Sequence, residues 1–319
     1  MITKDIEVAV QVLNKNDLVA IPTETVYGLA GNALNENAVS KIFELKKRPL
    51  YNPLIIHLKS LGYLSQVAIN IPPKAYKLAS DFWPGPLTLV LEKNSKVPDL
   101  VTSGKPTVAV RVPNHPKTLA LLEQLNYPLA APSANPFGSI SPTSAAHVDH
   151  YFHKDLQIIL DGGDCHRGIE STIIGFYQGT PVVYRLGSLS LDDIQKSVGE
   201  VLTLDTNATE NPQAPGMLSR HYAPKTETHL TEHVRELVSA FPGEKIGVIL
   251  FQHKITDFPV YSQEILSQSG DLNEAAKNLY AAMHRLDRLN LDRIIAEKLP
   301  EIGLGLTLND KLTRATQKA

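Results

Sequence analysis

A two-domain α/β fold is what this sequence predicts, and three observations predict it. Short apolar runs of strand length alternate with amphipathic helical stretches from the N-terminus to about residue 203. A polar stretch rich in turn formers, Asp205 to Gly216, interrupts the pattern as a linker would. Beyond it, strand-like and helical runs resume. At 319 residues the chain is long enough for two domains, and 43% hydrophobic with 20% charged residues is a globular balance.

The elements follow in order. Ile6, Ala9, Val10 and Leu13 share one helical face, so a helix is expected from Thr3 to Asn16. Thr3 is the expected N-cap, with Asp5 and Glu7 in the first turn, where the helix dipole favours acids. Leu18 to Ile21 reads as a short buried strand, and Glu36 to Lys47 as a helix burying Val39, Ile42 and Phe43. Strands are expected at Leu54–Leu58, Leu87–Leu91, Val108–Val112, Leu156–Leu160, Thr172–Phe176 and Val182–Leu186. Helices fall between them at Pro73–Phe82, Pro116–Leu125 and Thr143–Tyr151. This alternation argues for a central sheet but does not give the strand order. After the linker, Lys245 to Phe251 reads as a strand, and Leu272, Ala275, Ala276, Leu279, Met283 and Leu286 form a helical stripe. Arg293 to Ala296 and a closing helix over Leu308 to Thr316 complete a smaller α/β domain. The expected division is 1–203, a linker over 204–225, and 226–319.

Composition excludes several functions. A net charge of −2 provides no global field for nucleic acid or an anionic membrane. The single cysteine, Cys165, excludes a disulfide within the chain and a zinc site needing several thiolates. The N-terminus has no apolar signal core, and no run approaches the ~20 apolar residues of a membrane span. A cytoplasmic protein without a membrane partner is expected.

No phosphate loop, dinucleotide fingerprint or His-Glu-x-x-His site is present. Chemistry must reside in five polar segments beside the expected strands. Pro22-Thr-Glu-Thr-Val-Tyr-Gly28 is either an ordinary loop or a rigid edge of small donors. Lys46-Lys-Arg-Pro-Leu-Tyr-Asn-Pro-Leu-Ile-Ile-His57 places three cations at a helix end, where the macrodipole alone would favour them. They could equally clamp phosphate oxygens, and His57 could be a satisfied core histidine. In Thr107-Val-Ala-Val-Arg-Val112, strand alternation sets Thr107, Ala109 and Arg111 on one face. An arginine there needs an anion, either a protein carboxylate or a substrate's. Ala130-Ala-Pro-Ser-Ala-Asn-Pro-Phe-Gly-Ser-Ile-Ser-Pro-Thr143 and Asp161-Gly-Gly-Asp-Cys-His-Arg-Gly-Ile-Glu-Ser-Thr-Ile173 offer hydroxyls and glycines suited to close approach of an anion. Nothing marks the adjacent Cys165 and His166 as a nucleophile and its base.

Together these five segments resemble the YrdC-like domain of the threonylcarbamoyl-AMP synthase family. The family's Lys-x-Arg and Ser-x-Asn motifs match Lys46-Lys47-Arg48 and Ser133-Ala134-Asn135. Pro215-Gly-Met-Leu-Ser-Arg-His-Tyr-Ala-Pro224 and the tail Gly303 to Ala315 resemble the longer, two-domain members, so the likeness spans nearly the whole chain. One departure is Arg185-Leu-Gly, where the family has Arg-Pro-Gly; it keeps the arginine and alters only the following turn.

The resemblance implies a twisted mixed sheet with flanking helices and a smaller Rossmann-like C-terminal domain. It implies an enzyme, a nucleotidyltransferase, converting ATP, L-threonine and bicarbonate to threonylcarbamoyl-AMP and pyrophosphate. Lys46, Arg48, Ser133 and Asn135 would be catalytic. Thr25, His57, Arg111, Ala131 and Ser171 would surround threonine. ATP would meet Arg48, Asn52, Thr107, Ser133, Ser141 and Arg185, with His221 and Tyr222 of the linker closing as a lid. Magnesium would ride on the phosphates, with no dedicated metal site. The product would pass to a separate tRNA threonylcarbamoyl transferase, with at most weak direct contact to tRNA.

Three rivals stand beside this reading. An RNA-binding module would use Lys46, Lys47, Arg48 and Arg111 on backbone phosphates, with strong salt dependence. A carbamoyl-transfer enzyme on the same domain would carry zinc fingers, which one cysteine excludes. A regulator that binds nucleotide without chemistry is the third.

Overall fold

The computed structural model describes residues 1–203 and 221–317. The expected linker core, Asp205 to Gly216, therefore lies outside the described residues. β1 (Ile2–Thr3) and helix α1 (Ile6–Asn14) open the chain, followed by β2 (Val19–Ile21), β3 (Gly28–Asn32), α2 (Glu36–Lys46) and β4 (Ile55–His57). A 3-10 segment (Leu61–Gln66) leads to β5 (Ala68–Ile69), α3 (Pro73–Phe82), β6 (Leu87–Lys93), the short α4 (Asp99–Thr102) and β7 (Thr107–Arg111). Next come α5 (Pro116–Glu123), β8 (Leu129–Ala130), α6 (Ala145–Phe152) and β9 (Ile158–Leu160). The hairpin of β10 (Thr172–Tyr177) and β11 (Thr180–Arg185), then α7 (Leu191–Val198) and β12 (Leu202–Thr203), finish the first part. Gln178 and Gly179 both have positive φ, the turn geometry that matches strand twist in a two-residue hairpin.

These strands form one twelve-stranded mixed sheet in the order β1-β9-β2-β3-β8-β4-β7-β6-β10-β11-β12, with β5 pairing β6 off the path. The alternation in β7 holds: Val108, Val110 and Val112 enter the large core with Leu54, Ile56 and Leu89, while Ala109 packs on the other face with Ile55, Val90 and Ile173. Two expectations are corrected at the first helix. Asp5 caps it, accepting from Glu7 N at 2.9 Å. Thr3 is instead drawn into the sheet beside Leu160, an extended pairing that removes it from the helix. The closing helix also starts earlier than expected, at Leu304, after Gly303 with φ 48°.

The second part comprises β13 (Glu227–Thr231), α8 (Val234–Ser239), β14 (Ile246–Leu250), β15 (Ser262–Ile265), α9 (Leu272–Asp287), β16 (Arg293–Glu297) and α10 (Leu304–Ala315). Its four strands are all parallel, in the order β13-β16-β14-β15. Helix α9 does not stop at its own sheet: Leu279, Tyr280 and Met283 share one apolar cluster with Val26, Ile140 and Ile169 of the first part. Gly168 shows how close this is, because a Cβ there would come within 2.4 Å of the Lys277 Cα. No helix among the described residues is long and apolar enough to cross a membrane.

Candidate active site

Parallel strands β4 and β7 end side by side, with His57 opposite Arg111. Ligands of open α/β sheets sit outside such carboxyl ends. A cavity opens there. The β2–β3 loop contributes Thr23, Thr25 and Val26, and Gly28 comes from the start of β3. The segment after β8 brings Ala131, Pro132 and Ser133. Glu170 and Ser171 come from before β10, Arg185 from the end of β11, and Arg48 and His221 close the wall.

The cations are buried and held largely by neutral groups. Lys46, 1% exposed, donates to the carbonyls of Ser133 (2.6 Å) and Asn135. Arg48 donates through Nε to the Asn52 carbonyl at 2.9 Å and through Nη2 to Asn52 Oδ1 and the Pro53 carbonyl, both at 2.7 Å. Arg185 donates to the Ser171 carbonyl at 2.8 Å and to Ser171 Oγ at 3.1 Å. Burial and the neighbouring Arg48 hold the Lys46 ammonium well below its ordinary range. Burial, then Arg185, lowers Arg48 to about 9, which leaves it a guanidinium at neutral pH. Charges crowded in this way gain from an arriving anion.

Arg111 is the exception. The sequence left its partner open between a protein and a substrate carboxylate, and the structure supplies a protein one. Arg111 Nη2 lies 2.5 Å from Glu24 Oε1, both side chains buried. Nε reaches the Gly85 carbonyl at 3.3 Å, and Nη1 donates to Thr25 Oγ1 at 2.9 Å. Three partners leave two of the five guanidinium protons for a ligand. Thr23 donates to the Val26 carbonyl at 2.6 Å, so across the 2.8 Å contact it is Thr25 that donates to Thr23.

His57 is 3% exposed, and burial, then Arg111, depresses its pKa to about 3. The neutral ring sets Nδ1 3.3 Å from the Ile55 carbonyl, so Nδ1 carries the proton and Nε2 is left as an acceptor. His221 is also neutral, through burial and then Arg48, Lys46, Arg185 and Lys311. Tyr222 is fully buried, its ring 4.1 Å from that of His221 and 5.5 Å from that of Tyr280. A solvated linker end is thereby excluded for this pair; the stretch before it lies outside the described residues.

Of the residues expected from sequence, Thr25, Arg48, His57, Arg111, Ala131 and Ser133 meet in the cavity wall, as do Ser171, Arg185 and His221. Lys46, Asn52 and Asn135 stand directly behind it as partners of the cations and their carbonyls. Ser141 is fully buried and gives its proton to Glu170 Oε1 at 2.6 Å, so it supports the wall rather than lining it. Thr107 is not in the wall; it opens β7, four residues before Arg111. Asn52 Nδ2, Asn135 Oδ1, His221 Nδ1 and the Tyr222 hydroxyl are buried with no partner among the described residues. Such orphans are rare unless a ligand or water completes them.

Glu24 and Glu170 are the charged residues that the sequence reading passed over. Both lie inside the polar segments 22–28 and 161–173, and the signal is an acid beside hydroxyl residues next to a strand. Cys165 is buried, with burial pushing its thiol far above the usual range, so a Cys-His nucleophile is absent. Three of the RNA rival's four cations are buried: Lys46, Arg48 and Arg111 are 1%, 7% and 4% exposed, out of reach of a duplex backbone, while Lys47 is exposed.

Fold and site define an α/β protein that gathers buried cations around one cavity at the carboxyl ends of its strands. Residues 11–187 match the family model described as Telomere recombination, and residues 189–317 match Threonylcarbamoyl-AMP synthase, C-terminal domain. Threonylcarbamoyl-AMP synthase of Pyrococcus abyssi is 43% identical over 98% of this chain and 94% of its own. That of Bacillus subtilis is 38% identical over 96% and 91%. The crystal structure of P. abyssi Sua5 complexed with L-threonine superposes with a TM-score of 0.92 at 42% identity, covering 98% of this chain and 94% of the other. The chain belongs to the threonylcarbamoyl-AMP synthase family, in its two-domain form.

Proposed function

We propose that the protein makes threonylcarbamoyl-AMP and pyrophosphate from L-threonine, bicarbonate or carbon dioxide, and ATP, as a nucleotidyltransferase of the cytoplasm. The observation that carries this is one cavity where Arg48 and Arg185 share a wall with Thr25, His57 and Arg111. This shared lining supports holding a phosphate and an amino acid side by side, and a relative bound to L-threonine has the same fold.

The threonine amine, as the free base, forms an N–C bond to carbon dioxide and sheds one proton, giving a carbamate. A carbamate oxygen then attacks the α-phosphorus of ATP; the bond to the bridging oxygen breaks and pyrophosphate leaves with that electron pair. This displacement needs alignment and charge neutralisation rather than a side-chain nucleophile. Arg48 and Arg185, backed by Lys46, supply positive charge, and Ser133 and Asn135 supply polar contacts. The two free protons of Arg111 take the threonine carboxylate, and His57 Nε2 accepts from its hydroxyl. Magnesium would ride on the triphosphate, since this ion commonly uses phosphate oxygens, and would neutralise part of its charge. The product's activated carbonyl then serves a separate transferase that modifies tRNA.

The test is an omission series: protein with ATP, magnesium, threonine and bicarbonate, each left out in turn. Pyrophosphate release and threonylcarbamoyl-AMP formation are expected only in the complete mixture. Pyrophosphate release that ignores threonine would refute the reading.

A further inference from the structure

Helix α9 of the C-terminal part reaches the cavity wall through two side chains one turn apart. Tyr280 donates its hydroxyl proton to Glu170 Oε2 at 2.8 Å, and His284 Nε2 lies 3.2 Å from the Ser141 carbonyl. Residues four apart share a helix face. That face therefore grips two residues already joined to each other, since Ser141 donates to the second Glu170 oxygen. Glu170 lines the cavity together with Arg48 and Arg185 and is 6% exposed. In a low-dielectric site a free carboxylate is drawn strongly towards such cations. Here each oxygen is held by a neutral hydroxyl instead. The tight seat of α9 on Gly168, two residues before Glu170, makes this a fixed strut.

We infer that Tyr280 is a positioning residue for catalysis: its hydroxyl holds Glu170 off the cationic wall, keeping that wall available to the triphosphate. The C-terminal domain thereby completes the active site. This inference rests on the ATP-dependent reading above.

Four full-length proteins test it: wild type, Tyr280→Phe, Glu170→Gln and the double variant, each titrated calorimetrically with ATP and assayed for product. Tyr280→Phe should raise the Kd and KM for ATP about tenfold or more while KM for threonine stays within about twofold, because a hydrogen bond to a charged group is lost at one end of the site only. Glu170→Gln alone should bind ATP as tightly as wild type or more tightly, since a neutral amide does not compete for the cations. In that background Tyr280→Phe should have no further effect, whereas a role in packing alone would weaken ATP equally in both. Unchanged ATP affinity in Tyr280→Phe, equal losses in both backgrounds, or tenfold weaker binding by Glu170→Gln overturns the inference. If Tyr280→Phe does not fold, the Glu170→Gln titration decides. If wild type binds ATP but forms no product, the proposed reaction fails while the titrations still judge Tyr280; if it binds no ATP, both fail.

Discussion

The cations of the cavity and those of the C-terminal surface are held in opposite ways. Lys46 and Arg48 are buried and rest on carbonyl and amide oxygens. On the C-terminal part, Arg285 pairs with Glu264, Arg293 with Glu227 and Glu244, and Lys298 with Glu232 and Glu301. A carbonyl orients a cation without cancelling its charge, whereas a carboxylate does both. The first arrangement costs stability and leaves a field for an anion to satisfy; the second fixes a surface. Function is marked here less by where cations are than by what they lean on.

Arg111 straddles the two classes, and it yields the largest expected effect. Glu24→Gln leaves its guanidinium buried without a counter-charge, which should cost roughly 3–5 kcal/mol of folding stability. Denaturant unfolding measures this, and L-threonine at saturation should return part of the loss if its carboxylate lands on Arg111. Recovery by threonine amide to the same extent would show that the carboxylate is not what Arg111 reads. Arg48 belongs wholly to the carbonyl-held class. Arg48→Met should lower kcat/KM for ATP by about 10²–10³-fold, the scale of removing one preorganised donor. Arg48→Lys should not restore it, because an ammonium cannot span Asn52 and Pro53 while facing a phosphate. Restoration by lysine would mean that only net charge matters.

Much of this was legible in the sequence, for identifiable reasons. The valines of β7 announce their face by period two, and the stripe on α9 by helical period. The wall residues came from short polar segments next to strands, whose order matched a known family. Three things were hidden. β3 reads as loop, since Gly28-Leu-Ala-Gly-Asn32 is poor in strand formers, yet it is mostly buried and paired on both sides. Arg111 meets Glu24 and Thr25 across 87 and 86 positions of sequence, and local pattern cannot show such contacts. The grip of Tyr280 on Glu170 spans 110 positions and two domains. Leu186-Gly187, the departure from the family pattern, also gains its sense only in space: Lys311 and Thr307 donate to these two carbonyls, so α10 shapes the turn.

Smaller effects follow from the imidazoles. Burial depresses both His57 and His284 to about 3, with Arg111 and His147 respectively as the next causes. The unfolded chain protonates them near 6.5, so between pH 6.5 and about 3 it binds more protons than the folded one. Stability is therefore complete above about pH 6.5 and should fall on acidification by up to about 1.4 kcal/mol per pH unit for each ring. Denaturant curves from pH 7 to 5 measure the slope, and His284→Gln should flatten it. A slope unchanged by that substitution would mean that His284 titrates normally.

The smallest expected effect belongs to the carboxylate-held class and is the control on the whole contrast. Arg285 forms a two-bond pair with Glu264 at 2.8 and 2.7 Å, better geometry than most surface ion pairs, yet its side chain is 56% exposed. Solvent screens such a pair, so Arg285→Gln should shift stability by no more than about 1 kcal/mol. It should leave ATP affinity and product formation as in wild type, because its charge was already cancelled by Glu264 and never reached the cavity. Good hydrogen-bond geometry alone would rank Arg285 beside Arg48; the contrast in partners ranks them apart. A loss of ATP affinity in Arg285→Gln comparable to that in Arg48→Met would show that the nature of the partner does not separate functional from structural cations.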